Sequence, residues 1–144
     1  MARARRDPFP GFQFVVEIDG IAAAGFREVS GLEGEIDVVE YREGADATPS
    51  ARKLPGLVRY ANVTLHRGLT DSNDLYQWWR AVASGKPDRR AAAIVFLDGE
   101  RNPVRRWTLR DAWPARYAVS PLDAGVSGVV VETLELAHEG FDVE

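Results

Sequence analysis

The chain has no cysteine among its 144 residues and only two histidines, His66 and His138. Without thiols there can be no disulfide, no thiolate metal site and no cysteine nucleophile, so packing, backbone pairing or assembly must hold the fold. Two histidines on separate stretches, with no third local ligand, are poor material for zinc. No apolar run approaches the length needed to cross a bilayer, so no membrane anchor is expected. The start, MARARRDPFPGF, is basic but lacks an apolar core segment, so no signal peptide is expected. Residues 1–8 read as a basic, solvated arm. A concentrated basic surface is missing too. The net charge is −4, which argues against general or sequence-specific nucleic-acid binding.

Familiar catalytic motifs are equally scarce. Ser30-Gly31 and Ser127-Gly128 lack the G-x-S-x-G elbow. Gly85-Lys86 resembles a phosphate loop only superficially, with Arg80 at the first glycine position and Pro87 in place of Ser or Thr. Carboxylates are plentiful, notably Glu132, Glu135, Glu139, Asp142 and Glu144 near the end, and they read as a solvated strand face. The expectation is no enzyme and no cofactor.

What is present is alternation. In FQFVVEIDG, residues 12–20, Phe12, Phe14, Val16 and Ile18 share one parity and an Asp-Gly turn follows. GFREVSG and GEIDVVEYRE read as two further strands. Residues 44–56, GADATPSARKLPG, have no apolar period and read as a long inter-strand loop. A strand is expected over about 57–67, with Leu57, Ala61, Val63 and Leu65 on one side and Tyr60, Asn62, Thr64 and His66 on the other. The second row reads as the wet face of a sheet.

The period then changes to that of a helix over about 72–84, with Asp71 or Ser72 as N-cap and Gly85 and Pro87 as stop signals. Leu75, Trp78, Trp79 and Val82 form its apolar stripe against a sheet, and Asp74, Gln77 and Arg80 point to solvent. Residues 91–109 read as a hairpin around Asp98-Gly99, RDAWPARYAVSP as a separate strand, and VSGVVVETLELAHEGFDVE as a long terminal strand. One mainly β, antiparallel, sandwich- or barrel-like domain over 1–144 is therefore expected, with one helix on a sheet.

Four stretches carry a resemblance: DPFPGFQFVVEIDG, FREVSGLEGEIDVVEYREG, RKLPGLVRYANVTLHRGLTDSNDLYQWW and ETLELAHEGF. In this order and spacing the chain resembles tail-tube proteins of contractile phage tails and of phage-tail-like contractile injection particles. The resemblance implies six-membered rings with a continuous inner β-barrel, stacked into a hollow tube inside a contractile sheath. It implies assembly in the cytoplasm and partners in the sheath, the baseplate and spike hub, a tube terminator, and cargo or DNA in the lumen. On this reading Arg52, Lys53, Leu54, Glu139 and Asp142 are candidate inter-subunit contacts, and Tyr60, Asn62, Thr64 and His66 candidates for the lumen or another polar face. A baseplate-proximal tube initiator and a free ligand-binding β-domain remain as alternatives.

Overall fold

The computed structural model describes residues 13–23, 25–42, 44 and 51–144. The basic arm and residues 45–50 of the expected loop lie outside them. Among the described residues nine strands and one helix follow in the order β1 Phe14–Ile18, β2 Phe26–Ser30, β3 Gly34–Tyr41, β4 Arg52–Tyr60, β5 Val63–Gly68, α1 Asp74–Ala83, β6 Arg90–Leu97, β7 Pro103–Val119, β8 Val131–Ala137 and β9 Phe141–Val143. Every strand pairing is antiparallel. The larger sheet runs β1-β6-β7-β8-β5-β2, with β9 alongside β7, and β3-β4 stands apart as a two-stranded sheet.

The long strand β7 makes the sandwich possible. Its first half pairs with β6 and β9, and its second half with β8. Asp111 sits between the halves at φ 49°, in the left-handed region that a non-glycine residue adopts only at a local kink. RDAWPARYAVSP, expected as a separate strand, is thus the continuation of the hairpin's second strand. The bend folds the sheet over one core, where Val16, Ile94, Leu65, Leu109, Leu134 and Leu136 are all buried.

The helix adds Leu75 and Trp78 to that core, with Val82 packed at its margin. It begins later than its capping residues suggested. Asn73 is the N-cap and makes no side-chain cap bond, while the Asp74 carboxylate is drawn to other partners described below. Trp79, expected beside Trp78, is half-buried and lies outside the core cluster, in ring contact with Tyr76 at 6.3 Å. Adjacent helical residues diverge by about 100°, so one stripe cannot hold both rings.

Three segments expected as single pieces divide, and the long terminal strand is one of them, since it separates into β8 and β9 at residues 138–140 and β9 turns to pair with the first half of β7. The segment read as a loop over 44–56 enters a strand at Arg52, and Arg52, Lys53 and Leu54 pair with Tyr41, Glu40 and Val39. The strand expected over 57–67 breaks at Ala61 and Asn62. Leu57 and Leu65 share a parity, yet Leu57 is 70% exposed and Leu65 1%, because they belong to different sheets.

Candidate assembly surfaces

The outer face of the larger sheet is built by register. Ser30, Thr64, Glu135 and Arg116 stand in one row across β2, β5, β8 and β7, and Glu28, His66, Thr133 and Ala118 in the next. Neighbouring positions on these strands, Val29, Leu65, Leu134 and Tyr117, turn inward to the core. His66 Nδ1 lies 2.9 Å from Thr133 Oγ1, and Asn62 Nδ2 donates to Glu135 Oε2 at 3.1 Å. Asn62 and His66 are thus hydrogen-bonded across the strands, and Thr64 stands between them on the same polar surface. Tyr60 does not join it. It ends β4 and packs edge-on against Phe141, with ring centroids 5.3 Å apart.

His138 is occupied structurally. Its Nδ1 accepts from the Gly140 N–H at 3.0 Å, which leaves Nε2 to donate to the Ala61 carbonyl at 2.8 Å. The two histidines thus serve different local bonds. Among the described residues no group of three His, Cys, Asp or Glu side chains is placed to hold a metal. No helix there is long and apolar enough to cross a membrane.

A buried charge cluster lies on the inner side. Arg67 and Glu132 are cross-strand partners, each 1% exposed. Arg67 Nη2 donates to Glu132 Oε1 at 3.2 Å and to Asp74 Oδ1 at 2.5 Å, and its guanidinium lies 5.6 Å from the Phe26 ring centroid. Tyr117 donates to the other Glu132 oxygen at 2.6 Å. Asp74 also accepts from the Ala22 N–H. Burial alone would raise the Asp74 pKa, but the bonds from Arg67, Ala22 and Leu75 outweigh it and hold the carboxyl at about 2. Burial, then the bond to Glu132, pushes the Tyr117 hydroxyl up to about 12. The cluster ties the start of α1 to β5, β8 and β7. Sequence reading gave both acids to solvent, although the parity of Arg67 with Leu65, and of Glu132 with Leu134, placed each on an apolar row.

The carboxylates nearest the C-terminus are more exposed. Arg110 Nη1 donates to Asp142 Oδ2 at 2.9 Å, and Arg89 approaches Glu139 at 4.0 Å. Both acids named as candidate inter-subunit contacts thus already face a cation within the chain.

The β3-β4 hairpin is the outlier. Of its strand residues only Asp37 and Tyr60 are even half-buried. Ile36, Val38, Val39, Leu54, Leu57 and Val58 are between 47% and 70% exposed. The strand pairing sets Ile36 opposite Val58 and Val38 opposite Pro55 on one face, and Val39 opposite Leu54 on the other. Apolar side chains thus stand on both faces. The charges are matched internally, with Asp37 taking both its carboxylate bonds from Arg59 Nε and Glu40 opposite Lys53. The chain leaves the sandwich for this hairpin at Gly31, where φ is +89° and a Cβ would collide with the Asn62 carbonyl.

Comparison with known proteins gives this arrangement a context. The family described as T4-like virus tail tube protein gp19 matches residues 10–142. A chain in the cryo-EM structure of the anti-feeding prophage (AFP) baseplate, 6-fold symmetrised, is 26% identical, with 97% of each chain covered and a TM-score of 0.85. A chain in the AFP tube terminating cap structure is 23% identical, covering 100% of this chain and 95% of that one, with a TM-score of 0.87. A chain in the extended PVC sheath-tube complex of an extracellular contractile injection system is 23% identical, covering 95% and 91%, with a TM-score of 0.84. A comparison with curated proteins found no match. With the family's pattern spanning nearly every described strand, the chain belongs to the T4-like virus tail tube protein gp19 family.

Proposed function

We propose that this chain is the structural subunit of the inner tube of a contractile phage tail or phage-tail-like injection particle. Six copies close a ring, rings stack into a hollow conduit, and sheath contraction drives the conduit through a target envelope. The observation that carries this reading is the β3-β4 hairpin, whose apolar side chains on both faces stand exposed among the described residues. A surface of this kind in a soluble protein marks an interface. Leu54 contributes to that interface directly, and Arg52 and Lys53 flank it on the same strand. Glu139 and Asp142 line a second, polar contact.

Among the described residues the outer edges of β1 and β2 have no neighbouring strand, which supports ring closure, since an unpaired edge strand invites pairing and a closed ring removes it. Joining copies at these edges would carry the rows through Thr64 and His66 around a lumen, with Asn62 beside them. A hydrogen-bonded polar wall lets cargo or DNA pass without adhering. The role is structural, without catalysis or a cofactor, and assembly takes place in the cytoplasm with sheath, baseplate hub and terminator as partners.

Negative-stain microscopy of the purified chain tests this reading. Six-fold rings and tubes of indefinite length are expected, and a stable monomer under all assembly conditions would refute it. The likeness to a chain of the AFP baseplate structure favours a second reading, a tube initiator present as one ring at the baseplate. Counting copies per native particle separates the two, with many rings for the tube and one for the initiator.

A further inference from the structure

The larger sheet runs from β1 at one end to β2 at the other, and folding at the β7 bend brings those ends to a common seam. Among the described residues a groove of about 230 Å³ opens there. It is lined by Phe14 of β1, Ile94 of β6, Trp107 of β7, Val29 of β2 and Leu32 just beyond it. Ile94, 3% exposed, forms the floor. The other four are half-buried and packed against the core. The groove is thus an extension of the core that reaches the surface. The charged residues that border it, Arg27 and Glu28, are exposed. An apolar cavity of about 150 Å³ holds benzene, so this space suits one phenyl ring rather than two.

We propose that the ring of Phe12 of the same chain occupies this groove and closes the seam from within the subunit. Residues 1–12 lie outside the described residues, and three observations favour this occupant over a ligand or a second copy. The described chain begins at the groove itself, with Gln13 its first residue and Phe14 the next. The β1-β6 ladder still holds at that point, because the Leu97 N–H donates to the Gln13 carbonyl at 2.9 Å. A strand in its ladder alternates its side chains, so Phe12 falls on the face that Phe14, Val16 and Ile18 turn to the core.

The reach is short, since two strand residues span about 7 Å. Phe9 is the other ring in the preceding segment, but it has the opposite parity and stands behind Pro10-Gly11. Proline lacks the N–H that a ladder needs, which makes Phe12 the last aromatic residue the strand can aim. The ring fills the apolar space between β1 and β2 and leaves their backbone edges available for pairing. A sealed seam serves a free chain as well as an assembled one, so the inference stands apart from the tube reading.

Nuclear magnetic resonance of the methyl-labelled, unassembled chain tests the assignment. The Phe12 ring should give NOE cross-peaks to the Ile94 and Val29 methyl groups. A mixture of copies labelled at the methyl groups with copies labelled at phenylalanine should give none between chains. Phe12→Ala should open the groove, so that added benzene shifts the Ile94 and Val29 methyl signals. The wild type and Phe9→Ala should not respond. Cross-peaks seen between chains would mean that a second copy supplies the ring. A wild-type response to benzene equal to that of Phe12→Ala would mean that the groove stands open. Either result overturns the inference, as would a response from Phe9→Ala alone or none from Phe12→Ala. The cross-peaks need no variant, so their absence in the wild type refutes the inference even if Phe12→Ala fails to fold.

Discussion

The sandwich and the β3-β4 hairpin are made of similar residues and meet opposite fates. In β5 the pattern Val63, Leu65, Arg67 is wholly buried, and even the charge finds Glu132 and Asp74. In β4 the residues Leu54, Leu57 and Val58 stay in solvent. The difference teaches that strand propensity and apolar content do not say where a strand's partner is. The sandwich completes itself within one chain. The hairpin makes its ladder hydrogen bonds and leaves its apolar surface exposed.

Substitutions should therefore separate folding from assembly. The largest effect on folding is expected for Trp78→Ala. The ring is 1% exposed and its Nε1 donates to the Asp88 carbonyl, so the cavity and lost bond should cost ~3–5 kcal/mol in urea unfolding of the unassembled chain. A loss below that of a surface substitution would break the view that the helix completes the core. Arg67→Met comes next, at about 3 kcal/mol, because it strands the buried Glu132 carboxylate. Adding Glu132→Leu should recover part of that loss.

Acid should act on the same cluster. The folded Asp74 pKa, at about 2, lies below its ordinary 3.8. Its contribution is therefore complete above about pH 4 and is lost as pH falls toward 2, on the order of 2 kcal/mol in all. Asp74→Asn should flatten the acid limb of a stability-against-pH curve. An unchanged limb would show that Asp74 is not the group responsible.

Trp79→Ala should cost only about 1 kcal/mol, as expected for a half-buried ring outside the core. An effect equal to that of Trp78→Ala would contradict the packing described. The smallest change in unfolding, within ~0.5 kcal/mol, is expected for Val39→Lys with Leu54→Glu, although tube formation should disappear. A large loss of stability there would mean that the hairpin supports its own subunit, and the contrast between the two regions would fail.

Much of the sandwich was legible because its signals are local. The alternation in FVVEI, the Asp98-Gly99 turn and the stripe Leu75, Trp78, Val82 each lie within one element. The merging of residues 103–119 into one strand was not legible. Trp113-Pro114 and Asp111 look like a break in sequence, and they are the bend that lets one strand serve two halves of the sheet. The exposed apolar hairpin was not legible either: the loop reading of residues 44–56 hid the strand on which Leu54 pairs with Val39.

The sequence by itself determined the β class, the single helix, the core-facing rows and the family, because periodicity and motif order are properties of neighbouring residues. Only the tertiary structure decided that Arg67 meets Glu132 and Asp74, that Leu57 and Leu65 part company at Ala61, and that the β3-β4 hairpin is left uncovered. Those outcomes depend on which distant segments come together. A one-residue parity pattern says that a side chain wants cover, and folding decides whether the cover comes from the same chain or another.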